Sequence, residues 1–110
     1  VMAVMASGLN GQSFAFNGYL PVKPPERVQA IRRFERRAHA EGQSQLFIEA
    51  PYRNVKLMEQ LLQTLAPETR LTVAMDITAP GEFIRTLRVR EWRAAELPAM
   101  NKRPAIFIIG

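Results

Sequence analysis

The sequence predicts an α/β domain (α+β in some schemes) built on a five-stranded mixed sheet with flanking helices. Three observations predict it. Five short apolar or alternating runs, at Phe14–Leu20, Leu46–Ile48, Leu71–Met75, Phe83–Leu87 and Ala105–Ile109, read as strands. Three segments repeat apolar residues every three or four positions and read as helices. The connections are unequal. Helices separate the first three strands, which favours parallel pairing, whereas a loop of about seven residues joins the third to the fourth, which favours antiparallel pairing.

The first strand bends at Asn17-Gly18, where glycine relieves the backbone. Three prolines between Pro21 and Pro25 make a rigid connector, and Pro25 opens a helix running to about Ala40. Val28, Ile31, Phe34 and Ala38 form its buried face, and Gly42 ends it. Pro51 holds Ala50 extended and stops the second strand, and Asn54 caps the next helix. That helix buries Val55, Met58, Leu61, Leu62 and Leu65, and Pro67 marks its exit. Pro80-Gly81 turns the loop between the third and fourth strands. A short helix follows around Trp92, from Val89 to Leu97, and residues 98–104 link it to the last strand.

The chain has 110 residues, of which 47% are hydrophobic and 23% charged, enough for one domain with its own core over 1–110. No cysteine is present, which excludes a disulfide scaffold, a thiolate metal site and a thiol nucleophile. With one histidine, His39, a multi-histidine metal site is excluded, and no metal is expected. His39 itself reads as a surface residue. No apolar run approaches the roughly 18 residues that span a membrane. Val1–Ala6 reads as the tail of an apolar helix stopped by Ser7-Gly8, so 1–7 is expected to end a preceding helix in a longer chain.

Fifteen basic residues against ten acidic leave +5. Six basic residues (Lys23, Arg27, Arg32, Arg33, Arg36 and Arg37) lie within residues 23–37, against Glu26 and Glu35. This stretch is either a solvated helix surface or a phosphate-contacting one, with Lys23, Arg32 and Arg36 as candidate contacts. Glu49–Asn54 ends a buried strand, where open α/β sheets gather ligands, but it also fits a capping loop with a Glu49–Arg53 surface ion pair. Asp76 follows another strand and suits either a ligand hydroxyl or a turn. No glycine-rich phosphate loop is present: Gly8-Leu9-Asn10-Gly11 lacks the spacing.

Ala6-Ser7-Gly8-Leu9, Gly18-Tyr19-Leu20-Pro21-Val22-Lys23, Leu46 to Arg53 and Pro104 to Gly110, in that order, resemble the C-terminal half of the tetrapyrrole methylase superfamily. The combination of G-[FY]-L-P-x-K with E-x-P-x-R is most similar to the branch methylating the ribose 2′-hydroxyl of small-subunit ribosomal RNA. The resemblance implies the C-terminal domain of a two-domain, cytoplasmic, homodimeric methyltransferase. Its S-adenosylmethionine lies between this domain and an N-terminal domain absent from this sequence. Carried over by motif, cofactor contacts fall on Pro51, Tyr52, Arg53, Ala74, Met75, Asp76, Pro104 and Ala105. The acceptor is left open between RNA and a tetrapyrrole, and no catalytic base is assigned, although Glu49 is a candidate should the acceptor be a ribose hydroxyl. Two positions depart from the branch: Tyr52 stands where it has histidine, and Met75–Ala79 where it has Arg-Glu-Leu-Thr-Lys. The implied domain is inactive alone. A different reading is an RNA-binding module that uses the basic helix 25–40 without catalysis, and a third is a dimerising interaction domain.

Overall fold

A computed structural model describes residues 14–110. The expected helix tail at 1–7, its Ser7-Gly8 stop and the Ala6–Leu9 motif lie outside the described residues. The elements run β1 (Phe14–Tyr19), α1 (Pro24–Glu41), β2 (Ser44–Ile48), a single 3₁₀ turn (Pro51–Arg53), α2 (Asn54–Thr64), β3 (Arg70–Met75), β4 (Phe83–Arg88), α3 (Val89–Ala94) and β5 (Ala105–Ile109).

The five strands form one mixed sheet in the order β1-β2-β5-β3-β4. β1 pairs with β2 in parallel and β3 with β4 antiparallel, as the connection lengths predict. The expected pairing of the second and third strands does not occur. β5 lies between them and is antiparallel to both. Its Ala-Ile-Phe-Ile-Ile run is apolar on both faces, which suits the centre of the sheet. β1 breaks register between Phe16 and Tyr19, where Gly18 takes a left-handed φ of 68°.

α1 starts one residue before the expected Pro25. Pro24 and Pro25 occupy its first two positions, where a missing N–H costs nothing. Gly42 closes it at φ 60°, ψ 30°. Its buried face is Arg27, Ala30, Ile31, Phe34 and Ala38, with the expected Val28 only half-buried. Asn54 does not cap α2 through its side chain. It is buried, and its Nδ2 donates to the Met100 and Arg103 carbonyls at 2.9 and 2.8 Å, tying α2 to the link before β5.

Alternation along the strands gives the sheet two distinct faces. Phe47, Val73, Met75, Phe107 and Ile109 share a core with Ile31, Phe34, Leu57, Leu61 and Trp92 of the helices. Phe34, Phe47 and Phe107 stack in a row with centroids 6.2 and 6.0 Å apart. On the other face Leu46, Ala74 and Ile108 pack with Ile77, Ile84 and Ile106, and among the described residues no helical side chain joins them. No described helix is long and apolar enough to cross a membrane.

Candidate functional site

The helix-free face deepens into a hollow of about 530 Å³ where β2 and β3 end and β5 begins. Its floor comes from three neighbouring strands: Ile48 pairs with Ile106, and Ile106 with Ala74. Pro51, Pro104 and Ala105 form the side next to the 3₁₀ turn, and Asp76, Ile77 and Ala79 the side formed by the loop after β3. Tyr19, opposite Ile48 on β1, closes a further edge. The lining is mostly apolar, with carboxylates from Glu49 and Asp76, the usual make-up of a site for a small organic ligand.

Each carboxylate is held by an arginine. Glu49 accepts from Arg27 in an ion pair whose side chains are both 4% exposed, and its other oxygen accepts from the Ala50 amide at 2.8 Å. Arg27 also donates to the Pro21 carbonyl at 2.8 Å and to Gln60 Oε1 at 3.0 Å. Arg27 is thus buried, not part of the solvated basic surface expected for residues 23–37. The expected Glu49–Arg53 surface pair is replaced by this one. A short link between β2 and α2 turns the Glu49 carboxylate inward, where it meets Arg27 from the first turn of α1.

Asp76 accepts from Arg103 Nε at 2.7 Å. The same guanidinium donates to the Gly81 and Ala99 carbonyls at 2.7 and 2.9 Å, so it joins the loop after β3 to the link before β5. The Asp76 amide donates to the Pro104 carbonyl, and the Lys102 amide to that of Pro51, both at 3.1 Å. These contacts hold strained backbone. Asp76, Thr78 and Lys102 have φ of 51°, 67° and 66°, and left-handed non-glycine residues cost on the order of 1–3 kcal/mol each. For Thr78, its β-branched side chain adds to the strain.

Five of the eight positions carried over by motif line the hollow: Pro51, Ala74, Asp76, Pro104 and Ala105. Met75 does not, because strand alternation turns it into the helix-covered core. Tyr52 and Arg53 do not, because the 3₁₀ turn directs them outward; Tyr52 is 64% exposed, with the Arg53 guanidinium 5.0 Å from its ring centroid. Lys23, Arg32 and Arg36 are exposed and none of them lines the hollow. His39 is an exposed residue 3.3 Å from the Thr69 hydroxyl. The sequence reading missed Tyr19, Ile48, Ile77, Ala79 and Ile106. Alternation from Ala74 could have marked Ile48 and Ile106 only once β5 was known to separate β2 from β3.

No protein-family model matches the chain. Curated relatives do. Ribosomal RNA small subunit methyltransferase I of Pseudomonas aeruginosa is 26% identical over 100% of this chain and 39% of its own length. Those of Vibrio cholerae (28% identical, 83% of this chain, 30% of theirs) and Escherichia coli O157:H7 (26%, 99% and 37%) are similar. The chain thus spans about two fifths or less of these relatives, and it matches their C-terminal part. Among solved structures, the methyltransferase CobJ superposes with a TM-score of 0.60 at 19% identity, over 98% of this chain and 45% of its own. A uroporphyrin-III C-methyltransferase from Thermus thermophilus, complexed with S-adenyl homocysteine, gives 0.53 at 21% identity, over 98% of this chain and 48% of its own.

Proposed function

We propose that this chain, which is similar across nearly all its length to the C-terminal part of methyltransferases of the tetrapyrrole methylase family and shares their mixed-sheet fold, is the C-terminal domain of an S-adenosylmethionine-dependent methyltransferase acting on RNA. Its hollow would receive the adenosyl part of the cofactor. The observation carrying this reading is that β2 and β3 end, and β5 begins, around one apolar hollow, on the face that no described helix covers.

The donor set fits that group. Ile48, Ala74, Ala105 and Ile106 offer flat apolar contact for a purine, while Pro51, Asp76 and Pro104 border it with polar backbone and one carboxylate. Both carboxylates of the hollow are matched by arginines, so a neutral nucleoside meets walls already balanced in charge. Tyr52, Arg53 and Met75 are not carried into this set. Bound there, the cofactor would supply an electrophilic methyl group. This chain's residues orient it, exclude water on one side and keep the rim rigid, and positioning of this kind contributes several kcal/mol to lowering a transfer barrier. Glu49 is committed to Arg27 and Ala50 and is assigned no proton transfer.

A further domain outside this chain would supply the opposite wall, a reading supported by the relatives' greater length. Homodimeric assembly and a cytoplasmic setting belong to the same proposal. An RNA acceptor is supported by the names of the curated relatives and by the exposed arginines of α1.

Calorimetric titration of the full-length protein with S-adenosylmethionine tests the proposal. Saturable binding is expected, with weak or no binding by the 110 residues alone. Absence of binding at millimolar cofactor would overturn it. Methyl transfer to a tetrapyrrole but not to small-subunit ribosomal RNA would overturn the RNA assignment.

A further inference from the structure

A second cavity lies behind the hollow, across the Arg27–Glu49 pair. Val22, Pro24, Arg27, Arg53, Lys56 and Gln60 line a groove of about 240 Å³. Glu49 faces the hollow and Arg27 faces the groove, so one buried ion pair is the partition between them. The groove lining contains three cations and no carboxylate. Arg27 is committed to Glu49, Gln60 and Pro21. Arg53 and Lys56 are not: neither side chain has a hydrogen-bond or ion-pair partner among the described residues, and Arg53 meets only the Tyr52 ring. A guanidinium stacked on a ring uses its face and leaves its in-plane N–H edge open to a forked oxyanion.

We propose that this groove seats a phosphate of the acceptor RNA beside the methyl-transfer hollow, with Arg53 and Lys56 as its contacts. The proposal rests on the methyltransferase reading and adds where its acceptor is gripped. RNA as the anion follows from that reading and from the two cations side by side in the groove; the exposed Arg32, Arg33 and Arg36 lie roughly 120° or more around α1 from Arg27 and do not extend it.

The test compares full-length wild type, the double variant Arg53→Gln/Lys56→Gln and the control Arg90→Gln. Arg90 is an exposed arginine paired with Glu68, outside both cavities. Affinity for a small-subunit ribosomal RNA transcript is read by fluorescence anisotropy across a salt series, and S-adenosylhomocysteine binding by calorimetry. In the double variant, RNA affinity is expected to fall about tenfold and the salt slope by about 2, with cofactor affinity unchanged and Arg90→Gln like wild type. Unchanged RNA affinity and slope in the double variant, or an equal loss in Arg90→Gln, would overturn the groove. So would weakened binding of a polycarboxylate tetrapyrrole with RNA binding intact. Failure of every form to bind cofactor would sink the methyltransferase reading instead, while the RNA comparison still judges the groove.

Discussion

The Arg27 guanidinium meets the Glu49 carboxylate in a buried ion pair that joins the first turn of α1 to the end of β2, 22 residues later. It separates the apolar hollow from the basic groove and fixes the proline connector through the Pro21 carbonyl. Removing one partner leaves the other charge buried and unpaired. Arg27→Ala is therefore expected to destabilise the fold by about 3–5 kcal/mol, whereas the double variant Arg27→Met/Glu49→Leu costs far less. Urea denaturation followed by circular dichroism checks both; equal losses would mean that burial of an unpaired charge is not the cause.

Arg103 holds the hollow's outer wall through Asp76 and Gly81. Arg103→Ala is expected to release the strained turn, so that the Ala79 amide, which donates to the Asp76 carbonyl at 2.9 Å, exchanges faster with solvent. Cofactor affinity of the full-length protein falls with it. Arg103→Lys, which keeps the charge but loses the fork, restores only part of that affinity. Unaltered exchange at Ala79 would show that the turn holds itself.

Trp92 is fully buried, and its Nε1–H donates to the Leu71 carbonyl at 2.8 Å. Trp92→Phe fills most of the same space but removes this hydrogen bond from a carbonyl that its β4 neighbour Leu87 still pairs, at an expected cost of about 0.5–1.5 kcal/mol. Thermal melting by circular dichroism measures this. The sequence has one tryptophan, so the wild-type fluorescence itself should shift to the red as Trp92 meets water on unfolding.

Gly42 closes α1 with φ 60°, and a Cβ added there would meet no atom within 4 Å. The penalty for Gly42→Ala is thus backbone strain alone, about 1–2 kcal/mol, and Gly42→Asn costs less because asparagine tolerates the left-handed region. Matched melting curves of the two variants give the difference directly.

Local chemistry made much of this molecule legible in its sequence. Apolar periodicity marked five strands and three helices because it records which side of each segment leaves water, and the prolines and Gly42 marked the ends of α1 because they restrict or free the backbone at single residues. The strand ends at Glu49–Asn54 and Asp76 pointed to the hollow for the same reason, as short-range signals, whereas Ala74, Pro104 and Ala105 came only from the family resemblance. Only the tertiary structure decided that β5 separates β2 from β3, because strand order depends on contacts between segments far apart in the chain. That insertion brings Ile48 and Ile106 together under the hollow, while the pleat of β3 turns Met75 away from it. The same long-range packing converted Arg27 from a surface charge into the buried partner of Glu49, because the energy of a charge depends on what surrounds it in space.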